Sequence, residues 1–283
     1  MTLSRHASVF LVVASGALLS GTSSPAEAQT NETLWAGEGS ILSGSSVGEH
    51  YLLEIAGGLW NPTAAIRASS EQFGIIGTEI DFGQDLGLTT QQHGELRLTF
   101  KPARRHKLRL YWLPIEYRQK SVLERRLVFQ GIAFNVGLPV DSMMQWNSWR
   151  FGYELDVIVR ERGFLGLILE AKYTELQAEL DSSIAYEYVR AAAPIPAIGA
   201  IGRIYVTRFT PVTAEFTMFK LPDNLVKDYV AQYVDFDIFG TINLSNMVGL
   251  NVGYRSLDLS YLFDRDSGDL KLNGPYFSGI FRF

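Results

Sequence analysis

The chain has 283 residues, of which 47% are hydrophobic, 12% aromatic and 19% charged, and its formal net charge is −5. This balance offers no basic surface to nucleic acid, so no nucleic-acid partner is expected. There is no cysteine, which excludes disulfides, thiolate metal sites, thiol catalysis and the acylated cysteine of a bacterial lipoprotein.

Residues 1–28 have the pattern of a secretory signal peptide. Arg5 precedes an apolar stretch, ASVFLVVASGALLSG, whose length suits the core of a signal peptide and is short for a membrane span. Ala26 and Ala28 supply the small residues of an A-x-A cleavage site. We predict cleavage after Ala28 and export; the alternative is an uncleaved anchor helix.

The exported chain divides into two parts. Residues 29–48 are rich in Gly and Ser and lack periodicity, which predicts a flexible periplasmic segment. Over residues 49–283 apolar and polar residues alternate with the period of two that is typical of strands. No window there resembles an apolar helix of about 20 residues. An outer-membrane barrel is therefore predicted, with a soluble exported β protein as the alternative.

The alternation is clearest in four segments between residues 148 and 255. Strands of about 9–11 residues with one apolar face, joined alternately by tight turns and long loops, indicate a transmembrane barrel. The residues on the apolar faces are Trp149, Phe151, Tyr153, Leu155, Val157, Val159, Leu165, Leu167, Leu169, Ala171, Tyr173, Val234, Phe236, Ile238, Gly240, Ile242, Val248, Leu250, Val252 and Tyr254.

The predicted fold is all-β: a transmembrane antiparallel up-and-down β-barrel of about ten strands, with eight as the alternative. An even number places both chain ends in the periplasm, with short turns on that side and long loops outside. The predicted strands are 49–60, 92–101, 107–120, 146–159, 164–176, 197–206, 212–220, 231–243, 247–260 and 272–283. The long connections are 61–91, 121–145, 181–196, 221–230 and 262–271.

Three of these connections carry their own expectations. The third and fourth strands continue beyond the membrane into a hairpin with Gln130 and Gly131 at its tip. The segment GTEIDFGQDLGL, residues 77–88, either pairs with the top of the first strand or folds inward as a partial plug. The segment 181–196 is predicted to hold a short helix that ends at Pro194.

Tryptophans lie near the predicted strand ends, where the membrane interface favours aromatic side chains. We therefore expect an aromatic girdle formed by Trp60, Trp112, Trp146 and Trp149.

The final strand, YFSGIFRF, is apolar at alternate positions and closes on an aromatic residue. With the signal peptide and the alternating strands, it resembles the ending of Gram-negative outer-membrane β-barrel proteins. The resemblance implies that Phe277, Phe281 and Phe283 form the signal read by the barrel-assembly machinery. It also implies periplasmic chaperones as partners, and outer-membrane lipid and lipopolysaccharide as the surroundings of the barrel.

A narrower likeness covers nearly the whole mature chain. The segments GTEIDFGQDLGL, KPARRHKLRL, AAPIPAIG and VGYRSLDLSY look like those of a small, largely uncharacterised group of barrel proteins of this size. This likeness implies no activity.

Charged residues on the polar face are expected to point into the lumen, because Arg or Lys at mid-depth in lipid costs roughly 2–4 kcal/mol. Inside the barrel they need partners. Either a paired network seals the interior, or the charges line a narrow conduit or small-ligand site. The predicted lumen-lining charges are Arg97, Arg109, Arg150, Glu154, Asp156, Glu170, Arg203, Glu215, Asp235, Asp237 and Arg255, and Glu95 shares their face.

The expected function is that of an integral outer-membrane barrel with a structural or interaction role, or of a narrow channel. A small-solute transport pore is the alternative, and a wide porin is not expected because ten strands lie near the filled end of the barrel series. No cofactor or metal is expected. A hydrolase is less favoured: of the histidines, only His93 lies in the outer half, and none is clearly placed beside the Asp235 and Asp237 pair. The oligomeric state stays open.

Overall fold

The computed structural model describes residues 46–69, 71–72, 75–76, 78–129, 131–184, 186–221, 229–263 and 266–283. The predicted signal peptide and residues 29–45 lie outside this range. In the described part of the chain no helix is long and apolar enough to cross a membrane.

Ten long antiparallel strands form a closed ring, which confirms the ten-strand barrel. In chain order the strands are β1 (Leu53–Trp60), β2 (Thr63–Ser69), β3 (Glu71–Gln72), β4 (Ile75–Ile76), β5 (Ile80–Asp81), β6 (His93–Ala103), β7 (His106–Val122), β8 (Leu127–Phe129), β9 (Ile132–Phe134), β10 (Pro139–Arg160), β11 (Gly163–Ser182), β12 (Tyr186–Thr207), β13 (Thr210–Lys220), β14 (Tyr229–Asn243), β15 (Val248–Phe263) and β16 (Asp266–Arg282). The ring runs β1-β6-β7-β10-β11-β12-β13-β14-β15-β16 and closes through the β1–β16 pairing. Closure is required because lipid does not tolerate an open sheet edge.

The two ends of the barrel differ. At one end, here called the turn end, tight connections join β6 to β7, β10 to β11, β12 to β13 and β14 to β15. The opposite end, here called the loop end, carries the long connections that follow β1 and β7. The long connection predicted at 262–271 was wrong, because β15 runs to Phe263 and β16 begins at Asp266. Of the two residues predicted at the tip of the hairpin after β7, Gly131 lies next to the Phe129–Ile132 pair and has a φ of 75°, and Gln130 lies outside the described residues.

The first strand of the wall is broken rather than finished at Trp60. On the turn-end side of the break β16 pairs with β1, and on the loop-end side β16 pairs with β2. The break lies at Asn61, whose N–H donates to Pro275 O at 3.0 Å. Gly274 permits this approach, because a Cβ there would lie 2.3 Å from Asn61 O. Residues 63–69 therefore belong to the wall, and the prediction of a loop from residue 61 was wrong for them.

The predicted helix in 181–196 is also wrong, because β11 and β12 continue through that segment as a paired ribbon from Gly163–Ile204 to Asp181–Tyr186. These strands have 20 and 22 residues, and β10 has 22. About 9–11 residues suffice to cross a membrane. The barrel wall thus projects well beyond the lipid at its loop end.

A bulge in β10 changes one predicted face. The β10–β11 register skips Val157, so that Val157 and Ile158 are both exposed. Val159 consequently turns inward and packs with Phe164 and Ile168. Its assignment to the lipid face was wrong, because strict alternation does not survive an inserted residue.

The turn end is covered by the segment that precedes β1. Val47 O accepts hydrogen bonds from Tyr205 Oη at 2.9 Å and Asn243 Nδ2 at 2.8 Å. Its N–H donates to Arg208 O at 2.9 Å. Residues 46–48, predicted to be part of a flexible lead, are thus bonded to the barrel.

The outer surface has an apolar belt with an aromatic edge. Trp112 and Trp149 face outward and stack with ring centroids 5.6 Å apart, and Trp112 Nε1 donates to Asn147 Oδ1 at 3.0 Å. Trp60 and Trp146 are instead fully buried inside the barrel. The predicted girdle therefore holds for Trp112 and Trp149 and is wrong for the other two, whose side chains alternate to the inner face.

Candidate functional site

The lower half of the lumen, nearer the turn end, is filled by ion pairs. The pairs there involve nine cationic and nine anionic side chains. The cations are Arg97, Lys101, Lys107, Arg109, Arg150, Lys172, Arg203, Arg255 and Arg282, and the anions are Glu49, Glu54, Glu95, Glu154, Asp156, Glu170, Glu215, Asp235 and Asp237. We call this set the charge network.

Asp235 is the centre of the network. Its carboxylate accepts hydrogen bonds from Arg255 Nε at 3.1 Å and Arg255 Nη2 at 2.7 Å, and one from Arg150. Lys172 Nζ lies 3.6 Å from it. All four side chains are buried. Three cations thus surround one carboxylate, and the neighbouring acids must balance the excess charge.

Asp237 and Glu215 anchor the two sides of the network. Asp237 accepts hydrogen bonds from Arg97 Nη1 at 2.9 Å and Tyr276 Oη at 2.8 Å. Glu215 accepts one from Arg109 Nη2 at 2.6 Å, and Arg109 Nη1 lies 3.4 Å from Glu154. These acids cross-link strands that lie far apart around the ring, which stiffens the lumen.

Lys107, Glu154 and Asp156 form a smaller group toward the turn end. Lys107 Nζ lies 2.6 Å from Glu154 and 3.0 Å from Asp156, and it sits 3.7 Å from the centre of the Phe164 ring.

Glu49, which precedes β1, joins the charge network from the turn end. It contacts Arg203 at 3.0 Å and Lys101 at 3.6 Å. Burial acts to raise the pKa of Glu49, but the charges of Arg203 and Lys101 together outweigh it and lower the pKa to about 2.

A cavity of about 70 Å³ remains within the network, lined by residues such as Arg97, Arg109 and Glu215. Arg97 Nε and Arg150 Nε, both buried, have no hydrogen-bond partner among the described residues. Buried polar atoms of this kind are commonly satisfied by internal water. The cavity is therefore suited to hold a few water molecules.

A layer of aromatic side chains closes the network on the side of the loop end. Three guanidinium groups, those of Arg97, Arg150 and Arg255, lie 4.7–4.8 Å from the centre of the Tyr111 ring. Lys172 lies 4.2 Å from the Tyr233 ring. Aromatic faces attract cations, so this layer gives these four cations favourable neighbours at the edge of the charged region.

Above the aromatic layer the inner face of the barrel becomes apolar. Side chains from opposite walls meet there in one buried hydrophobic cluster, which we call the upper core. Its wall residues include Leu113, Ile115, Tyr117, Met144, Trp146, Ala178, Leu180, Leu257, Leu270 and Leu272. The polar lumen of the lower half therefore does not continue upward.

The outer face changes from apolar to polar at the same level at which the inner face becomes apolar. Past Trp149 and Tyr173 the outward positions of β7, β10 and β11 become polar; they include Glu116, Arg118, Lys120, Gln145, Asn147, Glu175, Gln177 and Glu179. Lipid selects an apolar exterior, whereas water selects a polar exterior over an apolar core. The loop-end half is thus built as a water-exposed barrel with its own core.

A cap covers the upper core. It consists of residues 78–88 and the described part of 123–138, and it buries the side chains Ile80, Phe82, Leu86, Leu127, Phe129 and Phe134. Of the two expectations for the segment 77–88, the inward fold is met over the described residues, because Ile80, Phe82 and Leu86 are buried. The segment pairs with β2 through β5 and not with the predicted strand 49–60.

One salt bridge ties the two parts of the cap together. Arg125 binds the Asp85 carboxylate through Nε at 2.6 Å and Nη2 at 2.5 Å, and the hydrogen bonds from Arg125 lower the pKa of Asp85. Thr78 N–H donates to Val128 O at 3.0 Å beside it.

The structure buries or half-buries all eleven predicted lumen charges inside the barrel and gives each an ion-pair partner. They fall into a group around Asp235, a group around Glu154, and the Arg203–Glu49 pair. Sequence reasoning omitted Lys107, Lys172, Glu54, Arg282, Lys101 and Glu49 from this set. Alternation gave a signal for Lys172, which shares its face with Glu170, but none for Glu49, which lies outside the strands. The upper core was missed altogether.

The candidate catalytic residues are not assembled into a catalytic group. The described hydrogen-bond partners of Asp235 are arginines, and those of Asp237 are Arg97 and Tyr276. His93 faces inward and its ring packs edge-on against Tyr117 at 4.8 Å.

The three phenylalanines of the last strand lie as the alternation predicts. Phe277, Phe281 and Phe283 are exposed on the lipid side, whereas Tyr276, Ser278 and Arg282 are buried.

No protein-family model and no curated protein matches the chain. Among solved structures, the outer membrane protease OmpT from Escherichia coli is similar over 86% of this chain and 100% of its own, with 8% identity and a TM-score of 0.53. The translocator domain of the autotransporter NalP from Neisseria meningitidis covers 85% of this chain and 90% of its own, with 10% identity and a TM-score of 0.42. Ail of Yersinia pestis covers 81% and 97%, with 11% identity and a TM-score of 0.35.

These likenesses concern the fold. The closed ring of ten strands with an apolar outer belt is the fold of a small outer-membrane β-barrel, as in OmpT, and the chain has that fold. In such barrels short turns face the periplasm and long loops face outward.

Proposed function

We propose that this barrel is closed to water-soluble solutes and serves a structural or interaction role through the part that projects outside the membrane. The observation that carries the proposal is that the charge network and the apolar upper core follow each other along the same lumen. An ion that left the charge network toward the loop end would have to enter the upper core, where it would exchange charged partners for apolar side chains and neutral groups such as the Tyr117 hydroxyl and the Trp146 indole N–H.

The charge balance supports the same conclusion. Where a pore selects ions by charged side chains, those side chains form rings of one sign, whereas the charge network holds nine cations and nine anions. A narrow channel or a small-solute pore remains the competing function. It would require both the cap and the upper core to move aside.

We propose no catalytic role. Asp235 is buried and its carboxylate accepts hydrogen bonds from Arg150 and Arg255, so it is held among cations inside the charge network. A hydrolase of lipid or peptide is therefore disfavoured as an account of these carboxylates.

Export through a signal peptide cleaved after Ala28 forms part of the proposal, as does assembly among outer-membrane lipid and lipopolysaccharide with the help of periplasmic chaperones and the barrel-assembly machinery. The intact mass of the protein purified from outer membranes tests the first step. A mature chain that begins at Gln29 is expected, and a mass that includes residues 1–28 would contradict cleavage.

Two adjacent residues test the closure. Ser148 is fully buried on the inner face, at the border of the charge network and the upper core, and Asn147 beside it is exposed outward. Because the chain has no cysteine, Ser148→Cys and Asn147→Cys each give a single thiol.

A membrane-impermeant thiol reagent should label Asn147→Cys in the folded protein and leave Ser148→Cys unlabelled until denaturation. Labelling of Ser148→Cys at a rate close to that of Asn147→Cys would show a water path through the lumen, and would favour the channel.

A further inference from the structure

A second cavity lies under the cap, within the upper core. Its volume is about 70 Å³, and its buried lining includes Ile66, Phe82, Phe129, Met144, Ala178 and Leu270. Two opposite walls of the barrel contribute: β10 and β11 on one side, and β2, β15 and β16 on the other. Phe82 and Phe129 come from the two parts of the cap and form its roof.

The cavity exists because small residues stand at wall positions where large ones would fill the space. Ala178 lies on the inner face of β11 between the inward residues Leu176 and Leu180. Ala68 lies on β2, two residues beyond the buried Ile66. Interiors are normally packed nearly without voids, so a gap lined by alanines on both walls is a feature of this sequence.

The lining is mainly apolar. Its polar side chains are Arg67, Asp269, Ser69 and Tyr261, and the last two are engaged with other groups of the protein. The charged residues that touch the cavity, Arg67 and Asp269, are themselves exposed, and Arg67 is engaged with Asp81 at 3.3 Å. A cavity lined by apolar side chains stays dry and takes up apolar molecules; an engineered example of roughly 150 Å³ binds benzene and xenon. The cavity here is smaller, but Met144 in its wall has a flexible side chain that adapts to irregular partners.

We propose that this cavity is a binding site for a small, uncharged, apolar molecule, which enters from the loop end beneath the cap. This inference does not rest on the closure of the lumen, because the cavity lies above the charge network. A ligand here would pack between Met144 and the cap residues Phe82 and Phe129.

The methionines supply a reporter and its controls. Met144 lines the cavity and is buried, Met218 is exposed on the apolar belt, and Met247 is exposed in a connection at the turn end. Methyl-labelled methionine in the full mature protein, assembled in lipid nanodiscs, can be followed by NMR during titration with benzene and, separately, with xenon.

The Met144 methyl signal should shift and saturate, while the Met218 signal changes only in proportion to the probe dissolved in the lipid. Ala178→Leu fills part of the cavity and should raise the Kd of the probe, read from the saturable shift, by about tenfold or more. Ala171→Leu, on the lipid face of the same strand, should leave that Kd unchanged.

If Ala178→Leu does not fold, Ala68→Leu makes the same test from the opposite wall. A Met144 signal that never saturates, or that follows Met218 in proportion, would overturn the proposal. So would unaltered binding in a folded Ala178→Leu or Ala68→Leu variant. A protein that conducts ions and still shows a saturable Met144 shift would contradict the closed lumen but support the binding site.

Discussion

Arg255 holds Asp235 with two hydrogen bonds across the β14–β15 pair, from Nε at 3.1 Å and from Nη2 at 2.7 Å. Asp235 pairs with Leu257 in the strand register, two residues beyond Arg255, so the ion pair is a diagonal one. Both side chains are almost fully buried. The bond therefore lies in the interior of the charge network, where loss of one partner leaves the other charge without compensation.

Removal of Arg255 should strongly destabilise the barrel. Breaking a buried ion pair costs about 3–5 kcal/mol, because a buried charge loses its partner. We expect Arg255→Ala to lower the urea midpoint of unfolding, measured by the heat-modifiable mobility of the folded barrel on gels. The matched control is Arg67→Ala, whose ion pairs are exposed and worth about 1 kcal/mol or less. Equal effects of the two variants would show that the network does not hold the barrel together.

Two positions on the outward face of β10, one in the apolar belt and one beyond it, should respond differently to an introduced charge. Phe151 lies on the apolar belt and Gln145, six residues away on the same face, lies beyond Trp149. Phe151→Arg is expected to cost about 2–4 kcal/mol because arginine enters the lipid, and Gln145→Arg about 0–1 kcal/mol. The measurement is the unfolding free energy in lipid vesicles. Similar costs at both positions would place Gln145 within the membrane and contradict the projecting wall.

The segment that covers the turn end should loosen in acid. The pKa of Glu49 is lowered from 4.5 to about 2, so its ion pairs contribute fully above about pH 4.5 and are lost as the pH falls toward 2. The NMR signal of the Val47 amide, which is bonded to Arg208 O, should report progressive detachment over that range. In Glu49→Gln the segment should be looser already at pH 7, with little change in that window. Acid detachment of equal size in the variant would assign the effect to other carboxylates.

The final aromatic residue should matter for assembly more than for the finished barrel. Phe283 N–H donates to Leu53 O at 2.8 Å, and Phe283 O accepts from Leu52 N at 2.7 Å, while its side chain stays exposed. Deletion of Phe283 is expected to reduce the amount of folded protein in the outer membrane, and Phe283→Tyr to preserve it. Pulse labelling followed by gel mobility gives the measurement. Normal assembly of the deletion variant would remove this residue from the assembly signal.

The sequence predicts the membrane half of this barrel well, because one physical rule governs each strand there. Residues that face lipid must be apolar, so Leu165, Leu167 and Leu169 alternate with inward positions, and the charges have to point inside. The strand number and the closing of β16 on β1 follow from that alternation. What alternation cannot give is the partner of each charge, because the partners of Asp235 come from strands that lie far apart in the chain.

The loop-end half was predicted poorly for an equally physical reason. Beyond Tyr173 the pattern of β11 inverts, with Glu175, Gln177 and Glu179 outward and Leu176 and Leu180 inward. Apolar and polar residues still alternate there. The outward positions are now polar, because they face water instead of lipid, and the inward positions are apolar. This inversion is the signal in the sequence for the projecting wall. It indicates that the strands continue through 181–196, where a helix ending at Pro194 was predicted. Local features such as the bulge at Val157 and the break at Asn61 leave no periodic signal.

The central claim is that the lumen is closed between the periplasmic and outer sides, and its most direct test is the electrical conductance of the folded protein in planar lipid bilayers. The insertion of each barrel is confirmed by protection from protease in the same preparation. The charge network and the upper core in series predict no stepwise conductance across the membrane at neutral pH. Regular ohmic steps that persist in the folded wild-type protein would contradict the closed lumen and establish a channel.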